Sequence, residues 1–324
     1  MLLGKKGIVG LDIGSNAIKL VELSSGKKSH HLKNVGEAPI PNGSIVNKSI
    51  ADPGAVAQAL SSLISDLKVK TRNVAISISG HSVIIKKVSL PKMSDVELRE
   101  SIPWELEQYI PQSIDEVNYD YQVLPGETAE GNVDVLIVAA KKDVTSDYLN
   151  VVRDVGLNPV VVDVDAFALE NAYEMNYNDT TGLLALINIG ASITNINIIN
   201  DGVNYEEAEN MKNSASDGQE YAELERIGND FNELVCGEIK RTLDFFSNTL
   251  WKDKVSNIVI GGGSSKVSGI RETLADMAES EVSIMNPFRN VTINKNEFDP
   301  EYIDFLAPKM NVSMGLALRR PGDK

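Results

Sequence analysis

The chain carries one cysteine, Cys236, in 324 residues, so no internal disulfide can form and a reducing compartment is expected. Its three histidines, His30, His31 and His81, have no metal-ligand spacing and read as surface or core residues. No run approaches the ~18 apolar residues that a membrane-spanning helix needs. No long apolar stretch follows the opening MLLGKKG, which points to the cytoplasm. Positive charge is also short. Lys and Arg number 31 against 46 Asp and Glu, for a net charge of -15. So acidic a surface repels nucleic acid and anionic lipid, so neither nucleic acid nor direct membrane insertion is expected. The same charge also serves simple solubility.

Apolar residues at 42% and charged residues at 24% are ordinary for a folded chain. The length suits two domains, or one domain of two related halves. A repeat favours related halves. GIVGLDIGSNAIKLVEL, from Gly7, and LLALINIGASITNINII, from Leu183, align on their glycines. Asp12-Ile13-Gly14-Ser15-Asn16 then falls on Asn188-Ile189-Gly190-Ala191-Ser192. Each reads as a strand, a tight turn and a returning strand.

Between the copies, Asp52-Pro53-Gly54 opens a helix running to about Leu67, with the aspartate as cap and the proline where a missing N–H costs nothing. Two strands follow from Asn73, then Ser94-Asp95-Val96-Glu97 reads as a capping box. The helix it starts runs to about Tyr109, with Pro103 expected to kink or break it. Two more strands, a helix ending before Gly156 and a further strand complete a compact α+β module over 73–162. Asp165 to Asn176 reads as a helix. After the second copy, residues 206–250 read as helical, and Val255 to Ile260 as a strand ending in Gly261-Gly262-Gly263-Ser264. Helices follow at Val267 to Ala278 and in the MNVSMGLALRR tail.

Two glycine turns, each opening a half, suit a crevice that grips a polyphosphate from both sides. Ser15 and Asn16 can add side-chain donors. Asp12, ending its strand, can hold hydrated Mg²⁺. Asn188 is its neutral counterpart and brings no charge. Gly261 to Gly263, between strand and helix, let backbone lie flat against a purine and ribose. A plain strand-to-helix turn would also use such glycines.

This order of elements resembles the actin, hexokinase and heat-shock chaperone superfamily. Within it, NVAISISGHSVIIKKVSLPKMSDVELRESIPWELEQYIPQSIDEVNYDYQVL, DVLIVAAKKDVTSDYLNVVRDVGLNPVVVDVDAFALENAYE and the closing GLALRR resemble the PilM family of type IV pilus assembly, over nearly the whole chain. The resemblance implies an α/β, actin-like (ribonuclease H-like, duplicated) ATPase fold with an inserted small α+β module. The first half would take 1–72, 163–182 and 307–324, the module 73–162, and the second half 183–306.

The resemblance further implies ATP or ADP with Mg between the halves. Asp12, Gly14, Ser15, Asn16 and Lys19 would form the first phosphate side, with Asp12 on the metal. Gly190 and Ala191 would form the second phosphate turn, and Gly261, Gly262, Gly263 and Ser264 would line the adenosine. Glu238 and Arg241, one helical turn apart, would reach ribose or base, or else form a solvated salt bridge. Asp163 and Asp165 stand at the hinge, either orienting a water or serving as helix-start carboxylates. The partner implied is the N-terminal cytoplasmic peptide of the inner-membrane protein PilN, placing a cytoplasmic scaffold at the inner membrane. Self-assembly into a ring and contact with pilus motor or platform proteins are further implied associations. Val83, Trp104, Tyr109 and Ile110 would line the peptide groove between module and first half, unless they pack in the core.

Departures from the family pattern lie near 200–206, where a third strand with an Arg-Asp pair and a following helix are expected to be missing. With Asn188, this leaves at most a weak ATPase. The alternatives weighed are an FtsA-like cell-division adaptor and a small-molecule kinase of the same superfamily. The tail LALRRPGDK is too short for the adaptor's membrane helix. No acceptor pocket for a kinase is recognisable.

Overall fold

A computed structural model describes residues 7–26, 29–126, 128, 131–177, 182–200, 203–212, 221–251 and 254–323. The chain opens with β1 (Val9–Ile13), β2 (Ala17–Ser25) and β3 (His30–Pro39), then the short pair β4 (Ile45–Val46) and β5 (Ser49–Ile50). Helix α1 (Pro53–Asp66) starts as its sequence dictates. The Asp52 carboxylate accepts from the Ala55 N–H, and Pro53 sits in the first turn. Next come β6 (Asn73–Ile78), β7 (Val83–Pro91) and α2 (Asp95–Glu107). The capping box at Ser94 and Glu97 forms reciprocally, and α2 continues through Pro103 without ending there. Then follow β8 (Val117–Val123), β9 (Asn132–Lys141), α3 (Lys142–Asp154), β10 (Asn158–Val164) and α4 (Asp165–Asn176).

The second copy gives β11 (Leu183–Ile189) and β12 (Ile193–Asn200), followed by β13 (Val203–Lys212) and α5 (Tyr221–Phe246). The chain closes with β14 (Asn257–Gly261), α6 (Ile270–Ala278), β15 (Glu281–Ile284), β16 (Val291–Thr292), α7 (Pro300–Leu306) and α8 (Asn311–Leu318).

The two large sheets share one topology. In the first, the order is β10-β6-β1-β2-β3-β16; in the second it is β13-β12-β11-β14-β15. Each has an antiparallel hairpin (β1–β2, β11–β12) extended antiparallel by a third strand (β3, β13). Each then adds two parallel strands on the other side, β6 and β10 or β14 and β15. The repeat seen in the sequence therefore extends to five strands per half. It also corrects one expectation. The strand thought missing after Asn200 is present as β13, the counterpart of β3, and residues 206–212 are strand rather than helix. The glutamates of Glu206-Glu207-Ala208-Glu209 hide it from a search for apolar periodicity.

The inserted region also differs from its expected limits. β6 and β10, at the two ends of 73–162, belong to the first large sheet. A three-stranded sheet, β7-β9-β8, stands outside it. One side of this sheet packs on α2 through Leu98, Ile102 and Leu106 against Val88, Val135 and Ile137. Its other side, with Val83, Ile85 and Leu136, joins the core of the first half.

Helix α8 closes the first half from the far end of the chain. A Cβ at Gly10 would meet the Ser313 carbonyl oxygen at 2.0 Å, and one at Gly315 would meet the Ala168 carbonyl oxygen at 1.7 Å. Both positions need glycine so that α8 can lie directly on β1 and α4. Among the described residues, no helix is long and apolar enough to cross a membrane.

Candidate functional site: two facing glycine turns

The turn between β1 and β2 and the turn between β11 and β12 are built alike. The Gly14 N–H donates to the Ala17 carbonyl, and the Gly190 N–H donates to the Ile193 carbonyl. Their side chains meet. Ser15 Oγ lies 2.8 Å from Ser192 Oγ. Asn16 and Ala191, at the turn tips, are exposed. The sequence pointed to Ser15 but not to Ser192, which lies one position past the expected Ala191. Aligning on the glycines sets Ser192 against Asn16, and only the fold brings it to Ser15.

The third element meets the second turn. Gly262 has φ of +89°, and a Cβ there would strike the Ile189 carbonyl oxygen at 2.4 Å and Asn188 Oδ1 at 2.7 Å. Its N–H donates to the Pro308 carbonyl. Ser264 Oγ donates to the Gly190 carbonyl at 3.1 Å. Gly261 is pressed against Asn311, whereas Gly263 is exposed with nothing within 4 Å of a Cβ. Of the four residues, Gly263 and Ser264 present an accessible edge, while Gly261 and Gly262 are buried and set the backbone path.

Asp12 and Lys19 are direct cross-strand partners, and Lys19 Nζ lies 2.9 Å from Asp12 Oδ2. One carboxylate oxygen is thus engaged by an ammonium. Among the described residues, no group of three or more His, Cys, Asp or Glu side chains converges as a metal site. A hydrated Mg²⁺ needs only one such carboxylate, with water completing its shell. The donor set around the turns (Lys19, Ser15, Ser192 and the turn amides) has the chemistry of an anion cradle.

A second ion pair was not foreseen. Lys48 Nζ lies 3.1 Å from Asp165 Oδ2, and Ser77 Oγ donates to Asp165 Oδ1 at 2.5 Å. Burial opposes the charge on Asp165, but Lys48 and Ser77 outweigh it and hold its carboxyl below the usual aspartate range. Burial also opposes the charge on Lys48, and Asp165, with a contribution from Asp12, raises it above the ordinary lysine value instead. Tyr148, which donates to the Lys48 carbonyl at 3.2 Å, is pushed up to about 12 by burial. Asp163 differs. Burial raises its pKa, and the Arg319 guanidinium at 3.5 Å offsets that only in part. Asp163 and Asp165 are both committed to lysine or arginine. No sequence spacing links Lys48 to Asp165, which lie 117 positions apart.

Other expected residues fall elsewhere. Arg241 Nη1 donates to Glu238 Oε2 at 2.6 Å with its own side chain 73% exposed, so the two form a salt bridge at the surface of α5. Val83 and Ile110 are core residues, in the first-half and α2 clusters. Trp104 is 72% exposed and Tyr109 41%. The surface pocket lined by Ser24, His31, Lys33 and Asn294 lies at the opposite end of β2 from the glycine turn.

Known proteins share this fold. The family model described as type IV pilus assembly protein PilM matches residues 10–204 and 201–321. The solved PilM-PilN type IV pilus biogenesis complex is similar at 26% identity and TM-score 0.85, covering 97% of this chain and 98% of that one. Ethanolamine utilization protein EutJ from Carboxydothermus hydrogenoformans is similar in fold, at 12% identity and TM-score 0.54, over 96% of this chain and 89% of its own. A Bacteroides thetaiotaomicron protein of unknown function with an actin-like ATPase fold matches at 10% identity and TM-score 0.52, over 98% and 97%. The fold is thus the actin-like ATPase fold.

Proposed function

The chain belongs to the PilM family of type IV pilus assembly proteins, and from that premise we propose that it is a nucleotide-binding scaffold that holds the N-terminal cytoplasmic peptide of a PilN protein. The observation that carries the nucleotide part is the 2.8 Å approach of Ser15 to Ser192, which sets two glycine turns face to face. ATP or ADP would lie across them, phosphates on the Gly14 and Gly190 turns and adenosine along Gly263 and Ser264. Asp12 would hold hydrated Mg²⁺ through the oxygen that Lys19 leaves free. Backbone amides in such turns stabilise phosphate without a rearrangement of charge.

The peptide part is supported by likeness to the chain in the PilM-PilN complex along almost its full length. The scaffold would sit at the inner membrane through that partner. Nucleotide serves in this reading as a ligand. Asn188 supplies an amide where the first turn has a carboxylate, and Asp165 is engaged by Lys48. Closure on nucleotide can bias peptide binding only by ATP's differential affinity for the closed form.

The test is calorimetric titration of the protein with the PilN N-terminal peptide, with and without Mg·ATP. Peptide binding without phosphate release is expected. Absence of peptide binding together with rapid phosphate transfer to a metabolite would replace the scaffold with a kinase.

A further inference from the structure

Lys48 sits where a lysine is costly. β4 and β5 are joined by a two-residue turn, Asn47-Lys48, with φ of +50° and +63°. Positive φ at both positions is the type I′ hairpin geometry, which asparagine then glycine would satisfy without strain. Here the glycine place is taken by lysine. Its stem runs beneath Gly80, whose Cβ position lies 3.1 Å from Lys48 Cγ and 3.6 Å from Ile193 Cδ1. Ile193 follows Ser192 directly, so Gly80 stands between the lysine stem and the strand that leaves the second glycine turn.

The ammonium there is under-used. Its side chain is 15% exposed, and among the described residues Asp165 is its single hydrogen-bond acceptor. An ammonium has three donors, and two remain. The groups around it are Asp165 from α4, Asp12 from β1 and Tyr148 from α3. Ser264 reaches the Gly190 turn from one element, and Lys48 approaches the start of β12 from another, with neighbours from α3, α4 and the turn after β6 that holds Gly80.

We propose that Lys48 is a ligand of the terminal phosphate of a nucleoside triphosphate, and so sets preference for triphosphate over diphosphate. The inference rests on the nucleotide reading above and adds a residue to it. The two free donors would meet the distal phosphate oxygens, while Asp165 keeps the ammonium in place. Lys19, beside Asp12 and the first turn, would serve the inner phosphates shared by both nucleotides.

The experiment is calorimetry with Mg·ADP and with a magnesium complex of the non-hydrolysable β,γ-imido ATP analogue. The proteins are wild type, K48G and K48G/D165N. Glycine relieves the turn, and the double variant avoids leaving Asp165 buried and unpaired. Losing charge-assisted hydrogen bonds predicts roughly a tenfold loss for the triphosphate and less than about twofold for the diphosphate in both variants. Equal losses for both nucleotides, or none, overturn the role of Lys48 and leave the nucleotide site standing. Wild type binding neither nucleotide would remove the site itself, and this assignment with it.

Discussion

Ser15 and Ser192 are separated by 177 positions in the chain, and their hydroxyls lie 2.8 Å apart. Each belongs to the glycine turn of its own half, so this one hydrogen bond spans the crevice. It makes the relation between the halves measurable. Ser15→Ala and Ser192→Ala should each be mild, and together they should show coupling of about 0.5–1.5 kcal/mol in a double-mutant cycle. Strict additivity in denaturant unfolding would mean that the turns do not meet in solution.

Asp12 is predicted to serve nucleotide through the metal. Asp12→Ala should keep the fold and weaken retention of Mg·ATP roughly tenfold or more, with less effect on nucleotide in the presence of a chelator. Unchanged affinity for Mg·ATP would take the metal away from this side of the crevice.

The expected groove residues now divide into two experiments. Ile110→Ala should cost about 2–5 kcal/mol of stability, as for any buried isoleucine truncated in a packed cluster. Trp104→Ala should change stability by no more than ~0.5 kcal/mol, because its side chain is largely in solvent. It should lower PilN-peptide affinity if this exposed ring is an anchor, since such aromatics carry much of an interface's energy. Unaltered peptide affinity in the folded variant would remove Trp104 from the partner surface.

Cys236 gives a test by pH. It is fully buried, and burial pushes its thiol up to about 11 from an ordinary 9. A raised folded pKa contributes stability that is complete below the unfolded value. That contribution is lost as pH climbs from about 9 towards 11. Wild type should therefore lose stability over that window more steeply than Cys236→Ala. At pH 8 the native thiol should resist iodoacetamide and react promptly once unfolded. Rapid modification of the native protein would contradict its burial.

Much of the fold was legible because local signals agreed with it. Asp52 with Pro53 and Ser94 with Glu97 each announce a helix start, and both caps form. The duplicated glycine turns disclosed two related halves for a physical reason. A tight strand-to-strand turn has few sequence solutions, and glycine is one of them. What stayed hidden was carried by residues with no local constraint. β13 is a strand because β12 offers it a free edge, not because Glu206 and Glu207 favour one. Lys48 meets Asp165 across 117 positions, and the lysine is a strained choice for its turn, so no propensity predicts it. Val83 and Ile110 read equally well as groove or core until a sheet and a helix are packed around them.

Hydrogen exchange on addition of Mg·ATP tests the central claim most directly, followed at the amides of Gly14 to Asn16 and of Gly190 to Ser192. The account predicts that both segments slow together, with a matching effect at Gly263 and Ser264. Protection of one turn alone, or of neither at saturating nucleotide, would contradict it.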